Sequence, residues 1–201
     1  MAGTVRISTL RRISAVDELT ATLIAARRGE DAALTSFVRQ SRPAVWRFVA
    51  HLVDPGAADD LTQDVFLRAV RALPAYRGDC SARTWLLAIA RRTCADELRG
   101  RTRQRRRDER LRGLATDQVV PDIAPDSDSA ALLRLLDPDR RAAFVLTQLL
   151  GLPYAEAAAV LGVPIGTIRS RVARARADLI QALDGTGQRA ERSLRSGVRR
   201  D

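Results

Sequence analysis

Residues 154–179 read YAEAAAVLGVPIGTIRSRVARARADL and predict two helices joined by a tight turn. Tyr154 to Leu161 is a short, alanine-rich segment with high helix propensity. Gly162 can adopt the positive φ that such a turn requires, and Pro164 suits the first turn of the helix that follows. The pattern is typical of a helix-turn-helix.

The second of these helices is amphipathic. Its apolar residues recur at spacings of three and four and therefore share one face. They are Ile165, Ile168, Val172, Ala175 and Leu179. Hydroxyl and guanidinium groups lie on or beside the opposite face, at Thr167, Arg169, Ser170, Arg171 and Arg174. Arginine can make two hydrogen bonds to a guanine edge, and serine or threonine can hold phosphate or base. The pattern favours a helix that enters the major groove of DNA, and a hairpin with a solvated basic face is the alternative.

The composition favours a polyanionic partner. The chain has 201 residues and a net charge of +10, and all 34 of its basic residues are arginine. A GC-rich genome also favours arginine codons over lysine codons, so the number of arginines alone does not indicate a function. The position of each arginine has to carry the functional argument. At this length one or two domains are expected, and an apolar fraction of 46% is enough to bury a core.

The chain lacks the residues that several functional classes of protein need. A zinc site takes about four ligands, whereas the chain has one histidine, His51, and two cysteines, Cys80 and Cys94. The cysteines are expected to be free thiols in a reducing cytoplasm. No apolar run is long enough to predict a membrane span, and the N-terminus has no signal-peptide pattern. The absence of a phosphate-binding loop, a nucleophile–base pair or paired carboxylates argues against an enzyme.

The chain is predicted to be all-α, with two small helical domains joined by a flexible charged linker. No strand-like alternation of useful length occurs. Residues 99–112 hold eight arginines and residues 117–139 hold six aspartates, and such a reversal of charge is typical of a linker. The alternative for the basic half is an extension of the preceding helix. The predicted boundaries are a disordered arm at 1–16, a first domain at 17–101, a linker at 102–126, a second domain at 127–183 and a disordered basic tail at 184–201.

Two segments of the first domain carry further patterns. Residues 59–69 read DDLTQDVFLRA, in which Asp60, Gln63 and Asp64 share one face of a helix. Residues 76–92 read YRGDCSARTWLLAIARR, a polar loop followed by the start of a helix. Ser81 is a plausible N-cap for this helix, which is predicted to end near Leu98.

Together the three segments resemble the extracytoplasmic-function (group 4) sigma factors, over about residues 17–183. The segment at 162–176 is similar to the part that reads −35 promoter DNA. Residues 59–69 are similar to the part that grips the RNA polymerase clamp, and residues 76–92 to the part that opens and reads the −10 region. The segments WRFVA at 46–50 and TQLLGL at 147–152 are similar to the actinobacterial branch around mycobacterial sigma C.

The resemblance implies a transcription initiation factor that binds core RNA polymerase, directs it to −35/−10 promoters and helps melt the −10 region. It implies polymerase binding by Asp60, Gln63 and Asp64. It implies −10 DNA binding by Tyr76, Arg77, Gly78, Asp79, Trp85, Arg92, Asp96 and Arg99. It implies −35 DNA binding by Thr167, Arg169, Ser170, Arg171 and Arg174. Arg92 stands where relatives often have asparagine, which leaves the base contact of that position open.

The resemblance also implies the partners, which are core RNA polymerase, through its clamp and its flap, and promoter DNA. An anti-sigma factor is a further candidate partner. No cofactor, metal or catalytic residue is expected, and the free chain is expected to be a cytoplasmic monomer without a membrane span.

Three alternatives stay open at the level of sequence. A helix-turn-helix regulator that binds an operator by itself explains residues 154–179 but gives no role to residues 59–69 and 76–92. An RNA-binding adaptor or anti-termination protein would use the arginine-rich segments. An enzyme is the weakest alternative, because the catalytic groups are missing.

Overall fold

The computed structural model describes residues 17–112 and 128–197, which form helices and, within those ranges, no strand. The first domain holds α1 (Glu18–Arg27), α2 (Asp31–Leu52), α3 (Ala58–Ala72) and α4 (Ala82–Arg112). The second holds α5 (Asp128–Arg134), α6 (Pro138–Phe144), α7 (Tyr154–Leu161) and α8 (Ile165–Gly197). The predicted all-α, two-domain fold is confirmed. The predicted arm, residues 113–126 of the predicted linker and residues 198–201 lie outside the described residues.

The four helices of the first domain share one aliphatic and aromatic core. Leu23 of α1, Phe37 and Phe48 of α2, Val65 of α3 and Leu86 of α4 are each at most 1% exposed. Burying a side chain of this size stabilises the fold by about 1.5–3 kcal/mol. The core fixes the outward direction of the polar faces of α3 and α4.

Helix α4 is longer than the sequence predicts. Its predicted end lies near Leu98, whereas the helix continues to Arg112. Arginine, glutamine and glutamate are good helix formers, and pairs at a spacing of four support the extension. Arg101 donates to Glu97 at 2.6 Å, and Gln104 donates to Asp108 at 3.0 Å. Residues 102–112, which the sequence places in a flexible linker, are therefore helical.

Helix α6 of the second domain begins at an N-cap residue, Asp137. The carboxylate of Asp137 accepts from the backbone N–H of Asp139 at 3.0 Å, and Pro138 occupies the first helical turn. A single π-helical turn, Val145–Leu149, follows α6. Helix α7 ends at Gly162, whose φ of +66° confirms the turn that the sequence predicts.

Helix α8 runs through most of the segment that the sequence predicts as a disordered tail. It continues to Gly197, so residues 184–197 are helical. The physical reason is composition, because glutamine, arginine, glutamate, leucine and alanine outnumber the glycines in this segment.

The two domains are in contact. Helix α4 packs against α7, and α2 packs against α6. The predicted separation into two helical units therefore coexists with a direct interface between them. Within the described residues, no helix is long and apolar enough to cross a membrane.

Candidate nucleic-acid and protein interfaces

The predicted polymerase-binding residues lie on the outer side of α3. Thr62 and Val65 point into the first domain, where both are at most 2% exposed. Asp60 and Gln63 are exposed and Asp64 is half-buried. Asp60 also lies in the first turn of the helix, where a negative charge interacts favourably with the helix dipole. The structure thus brings the three predicted residues together on one accessible face.

Apolar side chains adjoin this acidic face, and sequence reasoning missed them. Leu67 is 50% exposed and Val70 is 44% exposed. Together with Phe66 and Gln63 they line a shallow groove beside α2. A signal was present, because Asp60, Gln63, Leu67 and Val70 recur at spacings of three, four and three. The surface has an apolar centre and an acidic edge, as protein interfaces commonly do.

The predicted −10 loop is shaped from within by Tyr76. This side chain is 3% exposed, and its hydroxyl donates to the backbone carbonyl of Cys80 at 2.6 Å. Burial raises the pKa of Tyr76 to about 12, so the hydroxyl stays protonated as a donor. Gly78 has a φ of +80°, while Arg77 and Asp79 are exposed. Tyr76 therefore supports the loop from within, Arg77 and Asp79 face the solvent, and the −10 DNA binding expected of all three stays a prediction.

Trp85 also lies inside rather than on the outer surface. Its ring is half-buried and its centroid lies 5.1 Å from that of Tyr76, with the planes inclined by 50°. It borders a small apolar space with Leu23, Phe37 and Phe66. In this geometry Trp85 supports the loop, because its ring packs against the core of the first domain.

Ion pairs connect the predicted polymerase face of α3 with the predicted −10 face of α4. Arg68 pairs with Asp64 at 3.0 Å and with Asp96 at 2.8 Å. Asp96 also accepts from Arg99 at 2.6 Å. The hydrogen bonds from Arg68 and Arg99 lower the pKa of Asp96. Arg92 is exposed, one turn before Asp96. Asp96 therefore orients Arg68 and Arg99, and its own negative charge repels phosphate.

The second domain touches α4 at its first turn. Ser81 caps the helix as predicted, since its hydroxyl accepts from the backbone N–H of Thr84 at 3.2 Å. The carboxylate of Glu156 in α7 accepts from Ser81 at 3.2 Å and from Thr84 at 2.6 Å. Arg83 donates to the backbone carbonyl of Leu150. Sequence reasoning missed this interface, which lies beside the predicted −10 loop.

Helix α8 presents most of the predicted −35 residues on its outer side. Ile168 and Val172 are at most 1% exposed and anchor the helix in the second domain. Arg169, Ser170 and Arg174 are exposed on the side that faces the solvent. The helix can therefore offer guanidinium groups to a groove while its back holds the fold.

Two of the predicted −35 residues have partners within the chain. Arg171 forms an ion pair with Asp139 of α6, and its side chain is only 20% exposed. The hydroxyl of Ser170 donates to the backbone carbonyl of Thr167 at 3.0 Å, and Thr167 is half-buried. Arg174 forms no ion pair with any carboxylate of the described residues. Arg174 is thus better placed than Arg171 for a contact with DNA.

Known proteins match both domains. Residues 37–104 match the Sigma-70 region 2 family, and residues 130–179 match the Sigma-70, region 4 family. The ECF RNA polymerase sigma factor SigC of Mycobacterium tuberculosis (strain CDC 1551 / Oshkosh) is 47% identical over 169 residues, which cover 82% of this chain and 90% of SigC. The chain belongs to the extracytoplasmic-function sigma factors. The sigma factor is also 36% identical to SigE of Mycolicibacterium smegmatis, over 81% of this chain and 67% of SigE.

Solved structures share the fold of the sigma factor. CnrH, in complex with the cytosolic domain of CnrY, gives a TM-score of 0.64 at 28% identity and covers 83% of this chain and 97% of CnrH. The sigma factor RpoE from Bartonella quintana, in complex with the anti-sigma factor NepR, gives a TM-score of 0.63 at 28% identity. That match covers 75% of this chain and 96% of RpoE.

The function follows from the family. The sigma factor is a transcription initiation factor that directs RNA polymerase to promoters. The region 2 match contains all the predicted polymerase-binding and −10 residues, and the region 4 match contains all the predicted −35 residues. The family and function that the sequence predicts are confirmed.

The remaining reactive groups are embedded in the fold of the sigma factor. Cys80 and Cys94 are free thiols. Burial raises the pKa of Cys94 to about 12, and burial together with Asp79 raises that of Cys80, so both stay protonated at neutral pH. In the part of the chain that the structure describes, no group of three or more His, Cys, Asp or Glu side chains could hold a metal ion.

Proposed function

We propose that the sigma factor binds the clamp of core RNA polymerase through the outer face of α3. Asp60, Gln63 and Asp64 supply the charge and hydrogen-bonding groups for a basic partner surface. Leu67 and Val70, at 50% and 44% exposure, supply the apolar area that gives such an interface its stability.

The −10 element is assigned to the loop before α4 and to the exposed face of that helix. Arg77, Gly78 and Asp79 form the rim of the loop, and a base flipped out of the non-template strand needs such a pocket with a backbone clamp. Arg92 and Arg99 are exposed and face phosphates. Tyr76, Trp85 and Asp96 position these groups from within.

The −35 element is assigned to α8. Arg169, Ser170 and Arg174 project from its exposed side, with Thr167 and Arg171 at the edge, where Asp139 holds Arg171. Exposed apolar side chains of the same domain, Leu135, Ile180 and Leu183, are 54–69% exposed and supply a contact for the polymerase flap.

The chain from 17 to about 101 acts as region 2 and the chain from 127 to 183 as region 4, with the residues between them as the connection. Two DNA sites joined in one chain raise the effective concentration of each on a correctly spaced promoter. The sigma factor works in the cytoplasm with the polymerase, as a monomer when free, and contributes no catalytic group of its own. An anti-sigma factor, as seen with the RpoE relative, is a further partner.

The observation that carries the assignment of the first domain is the ion-pair chain from Asp64 through Arg68 to Asp96 and Arg99. It joins the polymerase face of α3 to the −10 face of α4, so that the two faces lie side by side on one pair of packed helices.

In vitro transcription tests the proposal. Core polymerase without sigma is mixed with the sigma factor and fragmented genomic DNA, and the 5′ ends of the transcripts are mapped. We expect defined starts that share −35 and −10 elements and that are absent without the sigma factor. Failure to bind core would overturn the polymerase assignment. Strong binding of the free chain to a duplex palindrome would favour an operator-binding regulator, and a preference for RNA would favour an adaptor.

A further inference from the structure

The start of α4 is held by a residue of α1 that the proposed function leaves without a role. Thr20 lies in the first turn of α1, and its side chain is 5% exposed. Its hydroxyl accepts a hydrogen bond from the backbone N–H of Ala82 at 2.8 Å, across 62 positions of the chain. Thr20 lies outside residues 37–104, which match the Sigma-70 region 2 family. Its buried hydroxyl therefore needs an explanation of its own.

The bond to Ala82 satisfies a group that α4 cannot satisfy by itself. The first N–H groups of a helix have no acceptor within the helix. The hydroxyl of Ser81 accepts from the N–H of Thr84 at 3.2 Å, which leaves the N–H of Ala82 for another acceptor. Ala82 is 0% exposed, so a protein group has to replace water there. Thr20 supplies that group and fixes the point at which the loop at 76–81 becomes a helix.

The same hydroxyl reaches the other end of the loop. Burial raises the pKa of Tyr76 to about 12, and a hydrogen bond from Thr20 opposes part of that rise. The hydroxyl of Tyr76 donates in turn to the backbone carbonyl of Cys80 at 2.6 Å. A threonine hydroxyl can donate and accept at the same time, so Thr20 serves both of its partners. A chain of hydrogen bonds therefore runs from Ala82 through Thr20 and Tyr76 to Cys80.

Helix α1 presents the hydroxyl of Thr20 in a fixed direction. Asp17 is the N-cap of α1, and its carboxylate accepts from the backbone N–H of Thr20 at 2.6 Å. Leu23 follows at a spacing of three on the same buried face and is 1% exposed. The cap and the core thus set the position of the hydroxyl independently of the loop that it holds.

The hydrogen-bond chain encloses the tip of the predicted −10 loop. Arg77, Gly78 and Asp79 form the rim of this loop in the proposed function, and Gly78 has a φ of +80°. The residues on either side of this rim are joined to each other through Thr20. A loop that is ordered before its ligand arrives loses less conformational entropy on binding. Breaking the chain of hydrogen bonds should therefore weaken the binding of whatever the tip holds.

We infer that Thr20 is a positioning residue for the −10 loop, because its hydroxyl joins the two ends of the loop and so holds residues 77–79 in the shape that takes a flipped base. The inference rests on the proposed function, which assigns base binding to this loop. Thr20 is buried and does not itself contact DNA. Its effect on DNA binding is therefore confined to the base that the loop takes, whereas a role in stability alone would affect every DNA equally.

The test uses holoenzyme, reconstituted from core polymerase and the full chain, with a set of fork-junction DNAs. Each DNA carries the −10 sequence found by transcript mapping as a single strand, either intact or with one base replaced by an abasic site. The ratio of affinities for the intact and the abasic DNA measures what each base contributes. Gly78→Val strains the tip of the loop at its positive φ, so the base whose contribution it abolishes is the one that the loop takes.

The variants separate the hydroxyl of Thr20 from its shape. Thr20→Val removes the hydroxyl and keeps the branched side chain, and Thr20→Ser keeps the hydroxyl. The control is Thr22→Val, the same change in the same helix, where the hydroxyl donates to the backbone carbonyl of Glu18 at 2.8 Å. Tyr76→Phe breaks the next link of the hydrogen-bond chain. Urea unfolding of each variant measures its stability separately.

We expect Thr20→Val to lower the contribution of the base that the loop takes by about 2- to 12-fold, which corresponds to one net hydrogen bond. The contributions of the other bases should stay unchanged. Thr20→Ser should restore the ratio, and Thr22→Val should leave it as in the unmodified chain. T20V/Y76F should lose no more than the larger of the two single variants, because the links act in series. If Thr20→Val does not fold, Tyr76→Phe carries the same test.

Three results would overturn the inference. An unchanged ratio in Thr20→Val at the base that the loop takes excludes a positioning role. Equal losses on the intact and the abasic DNA would show a role in stability alone. A loss that Thr20→Ser does not restore would assign the effect to packing rather than to the hydroxyl. If no abasic site weakens binding by the unmodified holoenzyme, the −10 loop assignment itself fails, which is a separate result that removes the basis of the inference.

Discussion

Helices α4 and α8 are both long and rich in arginine, at 31 and 33 residues, but they are held in different ways. In α8 the apolar stripe faces the core and the predicted DNA residues occupy the other side. In α4 the first half is packed on several sides, against α3, α2 and the α7 helix of the second domain. Recognition and stability are therefore separable on α8, whereas they share residues at the start of α4.

The largest effect on stability is expected from truncating a side chain in the buried apolar stripe of α8. Ile168→Ala removes a side chain that is 0% exposed, and such truncations cost about 2–5 kcal/mol in the free energy of unfolding. Ile165→Ala is the matched control, because Ile165 is 40% exposed although the sequence predicts it on the same buried stripe. We expect the control to cost less than about 1 kcal/mol in urea unfolding followed by circular dichroism.

Equal losses for the two alanine variants would contradict this separation of faces. They would mean that Ile165 also packs in solution. A small loss for Ile168→Ala would show that the second domain draws its stability from the contact with the first domain rather than from its own core.

The next effect concerns the DNA side of α8. Arg174→Ala should weaken −35 binding by about 1–3 kcal/mol, which is roughly five- to 150-fold, with unfolding unchanged, because Arg174 is exposed and makes no ion pair within the described residues. Arg171→Ala should weaken DNA binding less, because Asp139 already engages its guanidinium. Holoenzyme binding to promoter DNA with and without the −35 element measures both.

A reversed order, with Arg171 dominant, would show that DNA displaces Asp139 from Arg171 on binding. Comparing Arg171→Ala with Asp139→Asn distinguishes these outcomes. If the ion pair with Asp139 competes with DNA for Arg171, then Asp139→Asn should strengthen DNA binding.

Features fixed by short spacings could be predicted from the sequence. The stripe at Ile168 and Val172, the turn at Gly162, the cap at Ser81 and the helix start at Asp137 all depend on residues within four or five positions of one another. Local hydrogen bonds and helical periodicity settle these features, so no knowledge of tertiary packing is needed.

The features that could not be predicted depend on distant packing. The bond from Thr84 to Glu156 joins residues 72 positions apart, and the bond from Arg68 to Asp96 joins residues 28 positions apart. No spacing rule relates such pairs. The burial of Tyr76 and Trp85 likewise depends on which helices surround the loop, and no local spacing shows it.

The shared start of α4 gives the third prediction. Glu156→Ala removes the acceptor of Ser81 and Thr84, and we expect it to weaken the domain contact by about 1–2 kcal/mol. Thr84→Val, which keeps the shape but removes one donor, should have a smaller effect in the same direction. Spin-label distances between α2 and α8 measure the fraction of separated domains. An unchanged distance distribution in Glu156→Ala would assign the contact to apolar packing alone.

The smallest expected effect is a pH dependence of stability that is confined to the first domain. His51, the only histidine of the chain, lies at the end of α2 in the first domain, where burial and then Arg47 lower its pKa below 6.5. The unfolded chain therefore binds the proton more readily than the folded one. The stability due to neutral His51 is fully present above about pH 6.5 and is lost as the pH falls from there through the folded pKa. Both tryptophans, Trp46 and Trp85, lie in the first domain, so their fluorescence in urea reports this domain.

We expect the urea midpoint from tryptophan fluorescence to fall modestly between pH 7 and pH 5.5, and His51→Gln to remove most of that fall. The acidic groups whose pKa is lowered in the first domain, Asp54 and Asp96, are ionised across this range and add no slope there. The second domain has no histidine, so the destabilisation of Ile168→Ala should be the same at both pH values. A fall that persists unchanged in His51→Gln would show that His51 is not the source of the pH dependence.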